Sequence, residues 1–133
     1  MTAKIEPSCE AFATKVADIT RDFSIAFRSA PAGPPRRIDG YTIGAVPIGV
    51  GPDFHLGEVH PDGDEFLLLV SGALDLILDD GDEHDVGSET KVPMRAGDAY
   101  IVPRGIWHRI EASEPGFLVH VTPGPNGGHR PLN

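Results

Sequence analysis

Two stretches decide how this sequence reads: Gly57-Glu-Val-His60-Pro-Asp-Gly-Asp-Glu65-Phe-Leu-Leu-Leu-Val-Ser-Gly72 and Gly97-Asp-Ala-Tyr-Ile-Val-Pro103-Arg-Gly105-Ile-Trp-His108-Arg-Ile-Glu-Ala112. In the first, a Pro-Asp-Gly-Asp turn separates a short strand-forming run from the apolar run at 66–70. In the second, the apolar run at 99–102 stops at Pro103 and Gly105 and restarts beyond them. Runs of four to eight residues rich in β-branched and aromatic side chains, punctuated by Gly and Pro, are strand–turn–strand signals.

The same rhythm extends outward. Strands are expected at residues 41–50, 55–60, 91–95, 99–102, 108–112 and 117–122. The runs 65–70 and 73–79 flank Ser71-Gly72 and are expected to form a hairpin, with Leu74, Leu76 and Leu78 on one face. Many short strands at even spacing predict an all-β fold closed as a sandwich or barrel. Ser8 as N-cap and Glu10 in the first turn predict a short helix over 8–17, and the alternation of Phe23, Ile25 and Phe27 predicts a half-buried strand over 22–28. Residues 29–36 read as a Pro/Gly-rich loop, 79–85 as a solvated acidic loop, and 123–133 as a Gly/Pro-rich tail that is disordered or laid across a surface. The expected organisation is an arm at 1–40 packed on the barrel or on a dimer partner, a barrel at 41–122, and the tail.

Composition agrees with one domain. The 133 residues are 40% hydrophobic and include 16 Gly and 13 Pro scattered between apolar runs, which implies many turns rather than one flexible tract. A formal net charge of −9, with Arg36-Arg37 as the only basic pair, argues against nucleic acid and anionic membranes as partners. The single cysteine, Cys9, allows neither an internal disulfide nor a thiolate metal site. The longest apolar stretch, 66–70, is too short to span a bilayer, and no N-terminal apolar run reads as a signal peptide, so a cytoplasmic location is expected.

The two opening stretches resemble the paired motifs of the cupin superfamily. The second matches at Gly97, Pro103, Gly105 and His108, and the first at His60, Glu65 and Gly72. With the surrounding strands, the resemblance covers roughly residues 41–122, and it implies a double-stranded β-helix, the jelly-roll barrel. Three positions depart from the pattern: Glu58 stands where the first motif has a His, Pro52 where it opens with Gly, and Ala112 where the second motif closes with Asn. In metal-binding cupins two or three His and one Glu are ligands, so the resemblance implies Glu58, His60, Glu65 and His108 as the metal-ligand set here.

The residues themselves are consistent with that. Glu58 and His60 are two apart on one strand and leave the same face, the turn at 61–64 can bring Glu65 beside them, and the turn at 103–105 can return His108 to the same wall. Two imidazoles with one or two carboxylates suit one divalent metal ion: Fe, Mn, Ni or Zn. Glu58 has three open roles: a ligand, a group bonded to a ligand, or a catalytic general base. The plainer alternative is that His60 and His108 are hydrogen-bonded core residues. His120 reads as a satisfied core histidine and His55 as facing away from the mouth unless a bulge intervenes. His84 and His129 read as solvated, Trp107 and Tyr100 as core or interface residues, and Arg104 as a surface residue. Two functions follow: a metal-dependent enzyme of dioxygenase, isomerase or decarboxylase type acting on a small organic acid or enediol, or a non-catalytic small-molecule or metal-binding module. A homodimer is expected, with the strand at 22–28 pairing across a two-fold axis.

Overall fold

A computed structural model describes residues 5–6, 8–30, 36–53 and 55–131. The loop expected at 29–36 lies largely outside the described residues. The strands are β1 (Lys15–Thr20), β2 (Ile25–Ser29), β3 (Gly40–Ile48), β4 (Gly51–Pro52), β5 (His55–Val59), β6 (Glu65–Asp79), β7 (Glu89–Arg95), β8 (Ala99–Val102), β9 (Trp107–Gly124) and β10 (Gly128–Pro131).

The spine is an antiparallel ribbon of the two longest strands, β6 and β9, in register from Phe66 opposite Val121 to Asp79 opposite Trp107. Each strand changes its other neighbour halfway along. The first part of β6 pairs with β8 and the second with β7. The first part of β9 pairs with β4 and β5, and the second with β3. All ten strands join in one antiparallel sheet built around this ribbon, which fits the expected jelly-roll barrel. The sheet path continues from β3 to β1 and β2 on one side, and from β5 to β10 on the other.

The hairpin expected around Ser71-Gly72 is not formed; β6 runs on through this position without reversing. Register shifts fall between Leu69 and Leu74, where Gly72 adopts φ +88° and a Cβ on it would come within 2.6 Å of the Pro115 carbonyl oxygen. The shift also switches the inward face: Glu65, Leu67 and Leu69 point inward before it, Leu74 and Leu76 after it. These leucines, with Met94, Val102, Ala112 and Leu118, form the core. A strict two-residue alternation along a presumed hairpin places Glu65 inside only because it shares parity with Leu67 and Leu69.

Three other expectations are corrected. Residues 8–17 form no α-helix: a 3-10 turn at Phe12–Thr14, capped by Ala11 without any side-chain bond, leads into β1. Pairing of β1 on both sides, with β2 and β3, outweighs the weak helical signal. The strand expected at 22–28 starts later, because Phe23 sits in the β1–β2 turn at φ +67°, held by its N–H to the Thr20 carbonyl at 3.0 Å. Its apolar side chains are not half-buried: Ile25 is 64% and Phe27 54% exposed. Within the expected tail, Gly128–Pro131 form β10, which pairs with β5 and delivers Arg130 to the interior. That arginine is also why the acidic loop is not wholly solvated. Asp79 is buried, held by Arg130 Nη1 and Nη2 at 2.8 Å each.

Candidate metal centre

Glu58 lies on β5 directly opposite His108 on β9. His60 follows the end of β5, and Glu65 opens β6. Two turns lock these pieces together. The Gly105 N–H donates to the His60 carbonyl at 3.0 Å, and the Ile106 N–H to that of Pro103 at 3.2 Å. Gly105 sits at φ +77°, a conformation that favours glycine. The Arg104 N–H donates to Asp64 Oδ1 at 2.8 Å, and the Asn126 N–H and side-chain amide dock on Asp62. The Pro and Gly residues of both opening stretches thus fix where the two histidines stand.

The four side chains predicted as the set converge: one ligand atom from each of Glu58, His60, Glu65 and His108 lies within 4.8 Å of the others. His108 Nε2 is 2.8 Å from Glu65 Oε1 and 3.4 Å from Glu58 Oε1. His60 Nε2 is 3.3 Å from Glu65 Oε2 and 3.6 Å from Glu58 Oε1. Neighbouring ligands on an ion with bonds near 2.1 Å are separated by about 3–3.5 Å, so these spacings fit.

Hydrogen bonding gives an independent test. His108 Nδ1 lies 3.0 Å from the Ile106 carbonyl, which can only accept, so Nδ1 carries a proton. In a neutral ring Nε2 would then present its lone pair to the Glu65 carboxylate, an arrangement that needs a proton or a cation between them. Both ring nitrogens of His60 are buried without a hydrogen-bond partner, and an ion beside Glu58 and Glu65 would supply a partner to Nε2, the nitrogen that faces them. Two imidazoles and two carboxylates are a suitable donor set for one divalent ion.

The electrostatics report the same crowding. Burial opposes charge at every member, yet the carboxylates Glu58 and Glu65 raise His60 to about 8 and His108 to about 10. The same imidazoles, against burial, hold Glu65 at about 2 and Glu58 well below the usual carboxylate range.

Glu58, Glu65 and His108 line a cavity of about 570 Å³, together with the apolar Val46, Ile48, Leu67, Ile110 and Leu118. Arg37, Asp53, His55, Arg109 and His120 also line this cavity and were not singled out as site residues; Thr122 sits behind Glu65. Thr122 donates its hydroxyl to Glu65 Oε2 at 2.6 Å and accepts from His120 Nδ1 at 2.7 Å. His120 is accordingly a satisfied buried histidine and also a cavity wall. Gly44 stands opposite it, where a Cβ would overlap the ring. His55 does face the cavity, because the β5–β10 register shifts between Arg130 and Pro131 and supplies the required bulge. The Gly57 N–H donates to His55 Nδ1 at 3.1 Å, so Nε2–H faces Asp53 Oδ2 at 3.6 Å and Glu58 Oε2 at 3.9 Å. Arg37 enters from the segment before β3. Trp107 and Arg104 do not reach the cavity: Trp107 lies under the Arg130 guanidinium, 4.2 Å from its ring centroid, and Arg104 is exposed. His84 and His129 are exposed. No helix among the described residues is long and apolar enough to cross a membrane.

Comparison with known proteins places this geometry. No curated protein matches. Among solved structures, a cupin-2 domain containing protein from Shewanella frigidimarina is similar at a TM-score of 0.51 and 22% identity, covering 66% of this chain and 74% of that one. Bacillus subtilis oxalate decarboxylase, described with Mn(II) centres, is similar at 0.54 and 20%, covering 69% of this chain but only 24% of the enzyme. An oxalate oxidase is similar at 0.50 and 19%, covering 65% and 44%. At these identities the likeness speaks for the fold. The profile of the Cupin domain family, Cupin_2, matches residues 49–122, more than half of the sequence and the stretch that carries all four converging side chains. This chain belongs to the cupin family.

Proposed function

We propose that this cupin is a metal-dependent enzyme acting on a small organic acid, with one divalent ion (Fe, Mn, Ni or Zn) held by His60, Glu65 and His108 and completed by Glu58. The observation that carries the reading is the cluster of four ligand atoms within 4.8 Å, buried apart from Glu58 and opening onto a cavity large enough for a substrate. A bound divalent ion supplies a Lewis acid for a chelating substrate.

The protein's own groups do the rest. Thr122 fixes the Glu65 carboxylate and thereby the angle at which it meets the ion. Glu58 is the most exposed member, 36% by side chain, and its Oε2 faces His55, so it can move a proton at the open side of the site. Apolar walls keep water from the face where the substrate binds. The fold admits decarboxylase, dioxygenase and isomerase chemistry alike, and the similarity of an oxalate decarboxylase and an oxalate oxidase supports an organic acid over a neutral substrate.

Elemental analysis of untagged protein purified without chelator tests the reading, alongside a His60→Ala/His108→Ala double variant. Near-stoichiometric Fe, Mn, Ni or Zn in the first and none in the second is the expected result. Wild-type protein that carries no metal and takes none up on dialysis would replace the enzyme reading with a metal-free binding module.

A further inference from the structure

Arg37 is not accounted for by the metal site. It lines the same cavity as Glu58, Glu65 and His120, its Nη1 is buried, and that nitrogen donates no hydrogen bond among the described residues. A buried guanidinium donor left unpaired is costly, and such groups mark a missing acceptor. Glu58 and Glu65 lie close enough to favour its charge while burial opposes it. The nearby carboxylates, however, are committed elsewhere. Glu58 and Glu65 face the two imidazoles, and on the reading above their two charges offset those of a divalent ion. Asp18 is bound by Arg28 at 2.5 Å and by Thr42 at 2.7 Å. Arg109 also touches the cavity and has an unpartnered Nη1, but its guanidinium is held by Glu89 at 2.5 Å. Among the described residues, Arg37 is thus the guanidinium of this cavity left without a dedicated counter-ion.

The rest of the lining is largely apolar: Val46, Ile48, Leu67, Ile110 and Leu118. A two-carbon diacid would fill a small part of about 570 Å³ and leave these side chains facing water. We infer that the substrate is a monocarboxylic acid with a short apolar tail, its carboxylate bound between the metal cluster and Arg37 and its tail against Val46, Ile48, Ile110 and Leu118. The inference rests on the proposed metal site for one half of the carboxylate's contacts and on Arg37 for the other. Arg37 lies outside residues 49–122 of the family match, so the specificity device is contributed by the N-terminal segment.

The test is calorimetric titration of Mn(II)-loaded protein with oxalate, pyruvate, 2-oxobutanoate, 2-oxohexanoate and the neutral 1-hydroxy-2-hexanone. Manganese content is measured in every sample. Wild-type protein is expected to bind the 2-oxo acids with Kd falling about fourfold per added methylene, to bind oxalate more weakly than 2-oxohexanoate, and to bind the neutral ketone at least tenfold more weakly. Arg37→Met is expected to keep its manganese and lose ten- to hundredfold in affinity for every acid, with Arg37→Lys in between. Retained manganese with unchanged acid affinity in Arg37→Met overturns the role of Arg37. Tighter binding of oxalate, or affinity independent of chain length, overturns the apolar tail. The neutral ketone reads the charge requirement in unaltered protein, so a variant that fails to fold does not decide the matter. If wild-type protein binds none of Mn, Fe, Ni or Zn, the metal reading fails by itself, and thermal shifts by 2-oxohexanoate against the ketone in metal-free protein decide Arg37. A shift with the acid alone sustains it, and equal or absent shifts overturn it.

Discussion

Replacing Arg130 with Met should be among the most damaging single changes outside the cavity. The guanidinium is 2% exposed and makes two bonds of 2.8 Å to Asp79, one of 2.6 Å to the Asp82 carbonyl and one of 3.1 Å to that of Leu56. It also stacks 4.2 Å from the Trp107 ring centroid. Gly57, at φ +141°, leaves the room it occupies: a Cβ there would meet Nη1 at 2.9 Å. Methionine fills much of the volume but strands the buried Asp79 carboxylate. Removing one partner of a buried ion pair costs about 3–5 kcal/mol. At an unfolding entropy of about 2.1 cal/mol/K per residue, a chain of this length loses about 10–18 °C of Tm. Thermal unfolding at pH 7 followed by circular dichroism reads this directly. Burial disfavours ionised Asp79, but Arg130 and the Gly87 and Gly81 N–H groups outweigh it and hold its pKa below the ordinary value. The pair's contribution is therefore complete above the unfolded carboxylate pKa of about 3.9 and lost as pH falls through the lower folded value. The gap between variant and wild type should narrow at acid pH, and Asp79→Leu/Arg130→Met should recover part of the loss. A Tm drop below about 3 °C at pH 7, or a gap that widens on acidification, would refute the reasoning.

Thr122→Val is close to isosteric but removes the hydroxyl that holds Glu65; metal affinity, measured by chelator competition, should fall about 10–100-fold while metal-saturated protein still folds. In metal-free protein, His60 near 8 and His108 near 10 bind protons more tightly than in the unfolded chain, near 6.5. Their stabilisation is thus complete below pH 6.5 and lost as pH climbs through 8 towards 10, so Tm of metal-free protein should fall over that window and that of loaded protein much less; a flat metal-free profile would count against the paired charges. The homodimer expected from the sequence would put β2, which pairs with β1 alone among the described residues, against β2 of a second copy; sedimentation should give a dimer at micromolar concentration, and Phe27→Asp should weaken it more than about a hundredfold. Glu58→His should still bind metal but with altered preference among Mn, Fe, Ni and Zn; unchanged affinity for each ion would remove Glu58 from the ligand set.

The local and the long-range parts of this fold differed in how legible they were. Turn chemistry is local, so the turns at Pro61–Asp64 and Pro103–Gly105, read with the motif resemblance, were enough to expect His60, Glu65 and His108 near one another, and their ligand atoms do lie within 4.8 Å. The β6–β9 ribbon is not local: its partners are up to about fifty residues apart in sequence, and a Ser-Gly pair marks a bend as readily as a reversal. The same distance hid Arg130, whose partner Asp79 lies 51 residues earlier and whose neighbourhood of Gly, Pro and Asn reads as a tail. His55 depended on a bulge, which alternation cannot reveal. Arg37 sat in a Pro/Gly-rich context with no periodicity, and only the folded cavity shows that its Nη1 is buried.

Glu58 and Arg37 are best understood together. The family pattern has a neutral histidine where this chain has Glu58, and three histidines with one carboxylate leave a divalent ion with net positive charge that can itself attract an anion. A second carboxylate cancels that charge, so on the proposed reading the ion here offers coordination but little long-range attraction. The missing positive charge reappears at Arg37, in the same cavity and on a different segment of the chain. There it can hold a carboxylate from one direction only, which a spherical ion cannot do. Moving the charge from the ion to a guanidinium therefore trades non-specific anion affinity for orientation of the substrate. Because both groups act on one ligand, changes at 58 and 37 should be coupled rather than additive. A histidine at 58 restores charge to the ion, and acid binding then depends less on Arg37.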